Sequence, residues 1–167
     1  FLQNIIVDKK IQVVDLLVGD KNALVVASRI TGYGADYSTK VTCPACGTSQ
    51  EYGFDLNLAE VNGGGLDSLR ADTPLVAEDV TATENNTWLI ECPKSKVTVE
   101  VKLLNGADEK WMVKSQAMKK KQKLPETMLT DQLRQTIVSV NGDARPASVS
   151  KFINVMPAMD SRLLRSI

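Results

Sequence analysis

Val41-Thr42-Cys43-Pro44-Ala45-Cys46-Gly47-Thr48-Ser49-Gln50-Glu51-Tyr52-Gly53-Phe54-Asp55-Leu56 is the stretch whose reading decides the fold. Polar residues alternate with Tyr37, Thr39 and Val41 on the way in, and with Tyr52, Phe54 and Leu56 on the way out. That period-two pattern specifies two β-strands. Between them Cys43 and Cys46 bracket two residues, and Gly47 follows at once. Two thiolates at this spacing can reach one tetrahedral metal ion from a tight turn. The glycine supplies the positive φ that such a turn requires. The expectation is a β-hairpin tipped by half of a structural zinc site.

Ahead of the hairpin, Ile5, Ile6, Ile11, Val13, Val14, Leu16, Leu17 and Val18 give a mixed signal. A helix over residues 7–17 is expected, with Gly19 as its C-cap and Asp20 as the N-cap of the next segment. A second helix over 21–33 follows from the spacing of Leu24, Val25, Ala27, Ile30 and Tyr33, ended by Gly32 and Gly34.

Behind the hairpin the composition shifts. Between residues 57 and 86 the acids Glu60, Asp67, Asp72, Glu78, Asp79 and Glu84 meet Arg70 as the lone cation, around Gly63-Gly64-Gly65 and Pro74. This predicts a long acidic connection with one short strand near 75–80. The triple glycine lacks the G-x-x-x-x-G-K-[ST] spacing of a phosphate-binding loop and reads as a plain loop.

A second hairpin is expected from strands at 87–92 and 97–104, joined by Pro93-Lys94-Ser95-Lys96. Cys92 stands where strand meets turn, as a third metal ligand or as a buried strand cysteine. A helix opens at Asp108-Glu109 and carries Trp111, Met112, Ser115 and Met118 before the basic run Lys119-Lys120-Lys121-Gln122-Lys123. That run reads as a solvated helix face rather than a nucleic-acid contact, since no aromatics are interleaved. A further helix from Pro125 holds Met128, Leu129, Leu133, Ile137 and Val138 and closes at Asn141-Gly142, before two short helices at 148–156 and from 157 onward. Asp160 and Arg162, two apart in the last helix, point to different faces and suit either an ion pair or solvent.

The fold class is therefore α+β: an antiparallel sheet of two hairpins, the first tipped by the C-x-x-C knuckle, flanked by N- and C-terminal helices. One domain over 1–167 is expected, with helices in 1–34, the sheet and its acidic insert in 35–105, and helices in 106–167. Both chain ends read as incomplete.

Composition narrows function. Lys and Arg number 20 against 20 Asp and Glu, so no net field draws the chain to nucleic acid or an anionic membrane. The chain has no histidine, which removes imidazole-based triads and mixed Cys/His zinc sites. Three cysteines, two of them in C-x-x-C, suit a reducing compartment. No apolar run reaches the roughly 18 residues of a membrane span. Neither a nucleophile–base pair nor a distinctive carboxylate couple stands out.

Several separated motifs carry a family resemblance. They are Gly19-Asp20-Lys21-Asn22-Ala23-Leu24, Arg29-Ile30, Tyr33-Gly34-Ala35-Asp36-Tyr37, Cys43-Pro44-Ala45-Cys46-Gly47 and Asp55-Leu56. Pro93-Lys94-Ser95 with Val99, Leu103-Leu104, Gly106 and Asp108-Glu109 continues the set, and Met156-Pro157-Ala158 with Asp160-Ser161-Arg162 and Leu164-Arg165 ends it. In this order they resemble the baseplate hub and hub-assembly proteins of T-even-type contractile-tailed phages, from about residue 11 onward.

The resemblance implies a structural or assembly role rather than an enzyme, with other tail and baseplate proteins as partners and no small-molecule substrate. It implies assembly in the host cytoplasm and residence in the virion tail baseplate. A non-virion assembly chaperone for the hub is the alternative. A zinc-ribbon nucleic-acid module using Cys43, Cys46 and the Lys119–Lys123 run is a third reading. In the family a second C-x-x-C pair follows the late helix, whereas this sequence stops at Ile167. Structural zinc at Cys43 and Cys46 is thus left three ways open: a pair beyond the sequence, Cys92 with an oxygen ligand, or no metal.

Overall fold

The computed structural model describes residues 1–59 and 80–165. The chain divides into two units, Phe1–Asn62 and Gly63–Ile167, each described here by itself.

Unit 1 begins with the short helix α1 (Leu2–Ile5), continues through turns to α2 (Val18–Tyr33), and ends in the hairpin β1 (Asp36–Thr42) and β2 (Ser49–Asp55) with a 3₁₀ turn at Leu56–Leu58. The helix expected over 7–17 does not form. The Asp8 carboxylate accepts from the Lys10 amide, and the Gln3 side chain bridges the Ile11 carbonyl and the Val13 amide. Such side-chain bonds offer the backbone an alternative to helix, and the β-branched residues in this stretch lower helix propensity further. Consequently α2 starts at Val18, which puts Gly19 and Asp20 inside its first turn instead of between two helices. Asp20 there still favours the positive end of the helix dipole. At the other end Gly34 takes a φ of 83°, and Arg29 donates to the carbonyls of Gly34 and Asp36, tying helix to strand.

The hairpin register pairs Tyr37 with Phe54, Thr39 with Tyr52 and Val41 with Gln50. Alternation therefore puts Tyr37, Val41, Tyr52 and Phe54 on one face and Asp36, Lys40, Glu51 and Asp55 on the other. Among the described residues of this unit Leu2 alone is buried.

Unit 2 holds a four-stranded antiparallel sheet in the order β3 (Val80–Ala82), β4 (Trp88–Glu91), β5 (Thr98–Val101), β6 (Ile137–Val140). Four helices accompany it among the described residues: α3 (Gly106–Lys121), α4 (Met128–Thr136), α5 (Pro146–Val155) and α6 (Ala158–Arg165). The α+β class is as the patterning implies, with helices toward both ends of the chain, but the one sheet of two hairpins is instead two sheets, because the second hairpin pairs with β3 and β6 at its edges and, among the described residues, the first pairs only with itself. The strand expected at 75–80 and the triple glycine lie outside the described residues, apart from Val80, where β3 begins.

One helix is shorter than its periodicity suggested. Residues 137–140, expected at the end of the helix from Pro125, form β6 instead. Ile137-Val138-Ser139-Val140 is a mostly β-branched run, and Ile137 and Ser139 are buried while Val138 and Val140 are less so. A strand partner for β5 outweighs one more turn of helix.

The core joins sheet to helices. Ile90, Cys92, Val99 and Val101 from the second hairpin pack with Leu133, Ile137, Val149, Phe152, Leu163 and Leu164, with Trp88 at the margin. Asn105 caps α3 through the amides of Ala107 and Asp108, and Asp108 reaches back to the Asn105 amide, a full capping box.

Candidate functional site

The Cys43–Thr48 turn is built by two backbone bonds, from the Cys43 amide to the Thr48 carbonyl and from the Gly47 amide to the Cys43 carbonyl, both 2.9 Å. Gly47 takes a φ of 71°, the left-handed value its position was expected to need. Cys46 is exposed and Cys43 half-buried. The Cys46 sulfur lies 3.4 Å from the Thr48 hydroxyl. That hydroxyl, the Thr48 amide and the Cys43 thiol together hold the Cys46 thiol down to about 7. An exposed thiol lowered in this way favours the thiolate.

The second hairpin repeats this turn. The Cys92 amide donates to the Val97 carbonyl and the Lys96 amide to the Cys92 carbonyl, again at 2.9 Å, and Lys96 takes a φ of 57°. Cys-Pro opens both turns and a left-handed residue stands fifth in each; where the first has Cys46, the second has Ser95. The surroundings differ. Cys92 is fully buried in the core of unit 2. Burial, and then the charge of Asp160, push its thiol up to about 11. Asp160 itself is fully buried, and its two carboxylate oxygens accept from the amides of Lys94 and Ser95, each at 2.9 Å.

The sequence-derived ligand set draws on both units. Cys43 and Cys46 share the first hairpin tip, as their spacing required. Cys92 lies in the core of unit 2. Among the described residues no group of three or more His, Cys, Asp or Glu side chains is placed to hold a metal ion. Two thiols on an accessible turn fit half of a tetrahedral zinc site and do not close one.

Asp160 is the residue whose role local sequence reasoning missed. It belongs neither to an ion pair with Arg162 nor to solvent, and its partners lie more than sixty residues away in the chain. The signal that could have exposed it was the repeated Cys-Pro turn, which asks what the second copy does without its second cysteine.

The basic run divides as well. Lys120, Lys121 and Lys123 are exposed, as expected of a solvated face. Lys119 turns inward to Thr127 and the buried Asp131. Asp131 also accepts from Gln116 at 2.9 Å and Thr127 at 3.1 Å. Burial alone raises this carboxyl, but the Lys119 ammonium and the Thr127 and Ser115 hydroxyls outweigh it and leave it below the ordinary range. The cluster fastens α3 to α4.

On the apolar side of the first hairpin the rings form a chain. Tyr37 and Phe54 have centroids 5.4 Å apart, Phe54 and Tyr52 5.7 Å, and the Arg29 guanidinium lies over both Tyr33 and Tyr37. Tyr52 keeps 54% of its surface exposed and Phe54 41%. No described helix is long and apolar enough to cross a membrane. Comparison of the chain with protein-family models, with curated proteins and with solved structures finds no match.

Proposed function

We propose that this chain is a structural component of a contractile-phage tail baseplate, at or near the hub, acting through contacts with neighbouring tail proteins. The ordered motif resemblance supports the family. The observation that carries the contact role is the first hairpin: an aromatic face of Tyr37, Tyr52 and Phe54 with Val41 stands exposed, in a unit whose described residues bury Leu2 alone. Exposed apolar patches rimmed by polar residues are one signature of an interaction surface. Catalysis has no part in this reading.

Mass spectrometry of purified virions tests it. Stable incorporation at a fixed copy number per tail is the expected result. Detection in infected cells bound to hub precursors, with loss from mature particles, would assign the chain to the assembly chaperones instead. The nucleic-acid reading draws on the basic run, from which Lys119 is withdrawn. A flat binding isotherm at low salt would remove it, because phosphate contacts are strongest there. Zinc at Cys43 and Cys46 belongs to the same proposal as a structural ion, its remaining ligands supplied from outside the described residues.

A further inference from the structure

The two Cys-Pro turns share their backbone bonds and their left-handed fifth residue, so the strands leaving them correspond position by position. Counting outward from the turns, Val41 and Gln50 stand where Ile90 and Val99 stand, and Thr39 and Tyr52 where Trp88 and Val101 stand. Within the exposed aromatic face of the first hairpin, Val41 and Tyr52 are therefore the counterparts of Ile90 and Val101, which the second hairpin buries. In the second hairpin that face packs with α6 residues Leu163 and Leu164, buried to 2% and 1%. One helical turn earlier, Asp160 closes the hairpin tip through the Lys94 and Ser95 amides. Residues three and four apart share a helix face, so one stripe of α6 supplies both the carboxylate and the apolar cover.

In the first turn the equivalent amides belong to Ala45 and Cys46, and neither meets a described carboxylate. Consecutive N–H groups in a turn of this kind form a concavity that receives an anion. We infer that the first hairpin is a docking site for an amphipathic helix of a partner protein, whose Asp or Glu side chain caps the Ala45 and Cys46 amides while apolar residues three and four positions later cover Val41 and Tyr52. The second hairpin supplies the template, with α6 in the partner's place. This deepens the contact role proposed above and names the partner's chemistry. Two aspects of the site favour a carboxylate on a helix over a free anion. The apolar face adjoins the amides, and the polar face behind it carries Asp36, Glu51 and Asp55 against Lys40 alone, which disfavours polyanions.

The test uses the full chain, isotopically labelled, in reducing and chelator-treated buffer, with backbone amide shifts as the readout. Acetate should move the Ala45 and Cys46 amides beyond an equal ionic strength of chloride and leave Lys94 and Ser95 still, since Asp160 occupies that turn. A synthetic peptide of residues 156–165, carrying the template aspartate, should move the same amides together with Val41 and Tyr52. Its Asp160→Asn version should bind about tenfold more weakly, the scale of a lost charge-assisted hydrogen bond.

Four outcomes would overturn the inference. Ala45 and Cys46 amides that ignore acetate remove the anion site. Phosphate acting more strongly than acetate makes it an inorganic-anion site. Equal binding of the two peptides removes the carboxylate from recognition. Concentration-dependent shifts of the hairpin face without peptide give that face to a second copy of the chain. None of these bears on virion incorporation, so the baseplate reading stands or falls separately.

Discussion

Asp160→Asn is the substitution that probes the second hairpin most sharply. The carboxylate accepts two backbone amides at 2.9 Å from a fully buried position. An amide side chain keeps one acceptor oxygen and presents an NH₂ group to the other N–H, so one bond is lost and one buried donor is orphaned. A hydrogen bond to a charged group contributes about 1.5–3 kcal/mol and an orphaned donor costs about 1–3 kcal/mol, which together place the loss near 3 kcal/mol. For a unit of this size each kcal/mol shifts Tm by about 4 °C, giving a fall on the order of 12 °C. Urea unfolding followed by tryptophan fluorescence is the assay, because Trp88 packs against the core of that unit. The midpoint should fall with the slope unchanged. The exposed neighbour variant Arg162→Gln should stay within about 0.5 kcal/mol. An Asp160→Asn change of that same small size would refute the claim that the carboxylate locks the turn.

Four further outcomes follow from the same geometry. Lys96→Gly, which removes a left-handed non-glycine residue from the second turn, should stabilise unit 2 by up to about 1 kcal/mol, measured by the same urea titration. Maleimide labelling followed by mass mapping should modify Cys46 with a rate that climbs through a pH of about 7, while Cys92 stays unlabelled until the protein unfolds. Acidification should weaken the α3–α4 junction: the Asp131 carboxyl is depressed in the fold, so its stabilisation is present above the ordinary carboxylate pKa of about 4 and is lost as pH falls through the lower folded value. Asp131→Asn should accordingly flatten the acid limb of a thermal-stability profile. If zinc is bound in the full-length protein, Cys43→Ser with Cys46→Ser should abolish it in elemental analysis and lower stability by several kcal/mol; unchanged melting and no zinc would leave the knuckle a metal-free turn.

What the sequence disclosed is the part governed by short-range rules. Alternation at Tyr37–Val41 and Tyr52–Phe54 and the Cys-Pro-x-Cys-Gly turn placed the first hairpin in register, because strand period and turn stereochemistry are local. The same rules placed the second hairpin and the following helix, which opens two residues earlier than Asp108, at Gly106. Residues 7–17 misled because their apolar spacing suited a helix while Asp8 and Gln3 captured the backbone amides that a helix would use. Ile137 to Val140 misled because the pull of β5 as a strand partner is a long-range effect invisible to periodicity. The site divides along the same line. Cys43 and Cys46 were legible as a pair, whereas the burial of Cys92 and the closure of its turn by Asp160 depend on contacts across more than sixty residues. Lys119 looked like its neighbours in the basic run until Asp131, twelve residues on, drew it inward.

The contact role of the first hairpin is the central claim, and a photo-crosslinking amino acid at position 52 tests it most directly. Tyr52 is more than half exposed and sits in the middle of the aromatic face. Activated in assembled tails, the probe should form a covalent adduct with another baseplate protein, while the same probe at exposed Val113 in α3 should not. Position 52 giving no protein adduct, or no more than position 113 gives, would contradict the account.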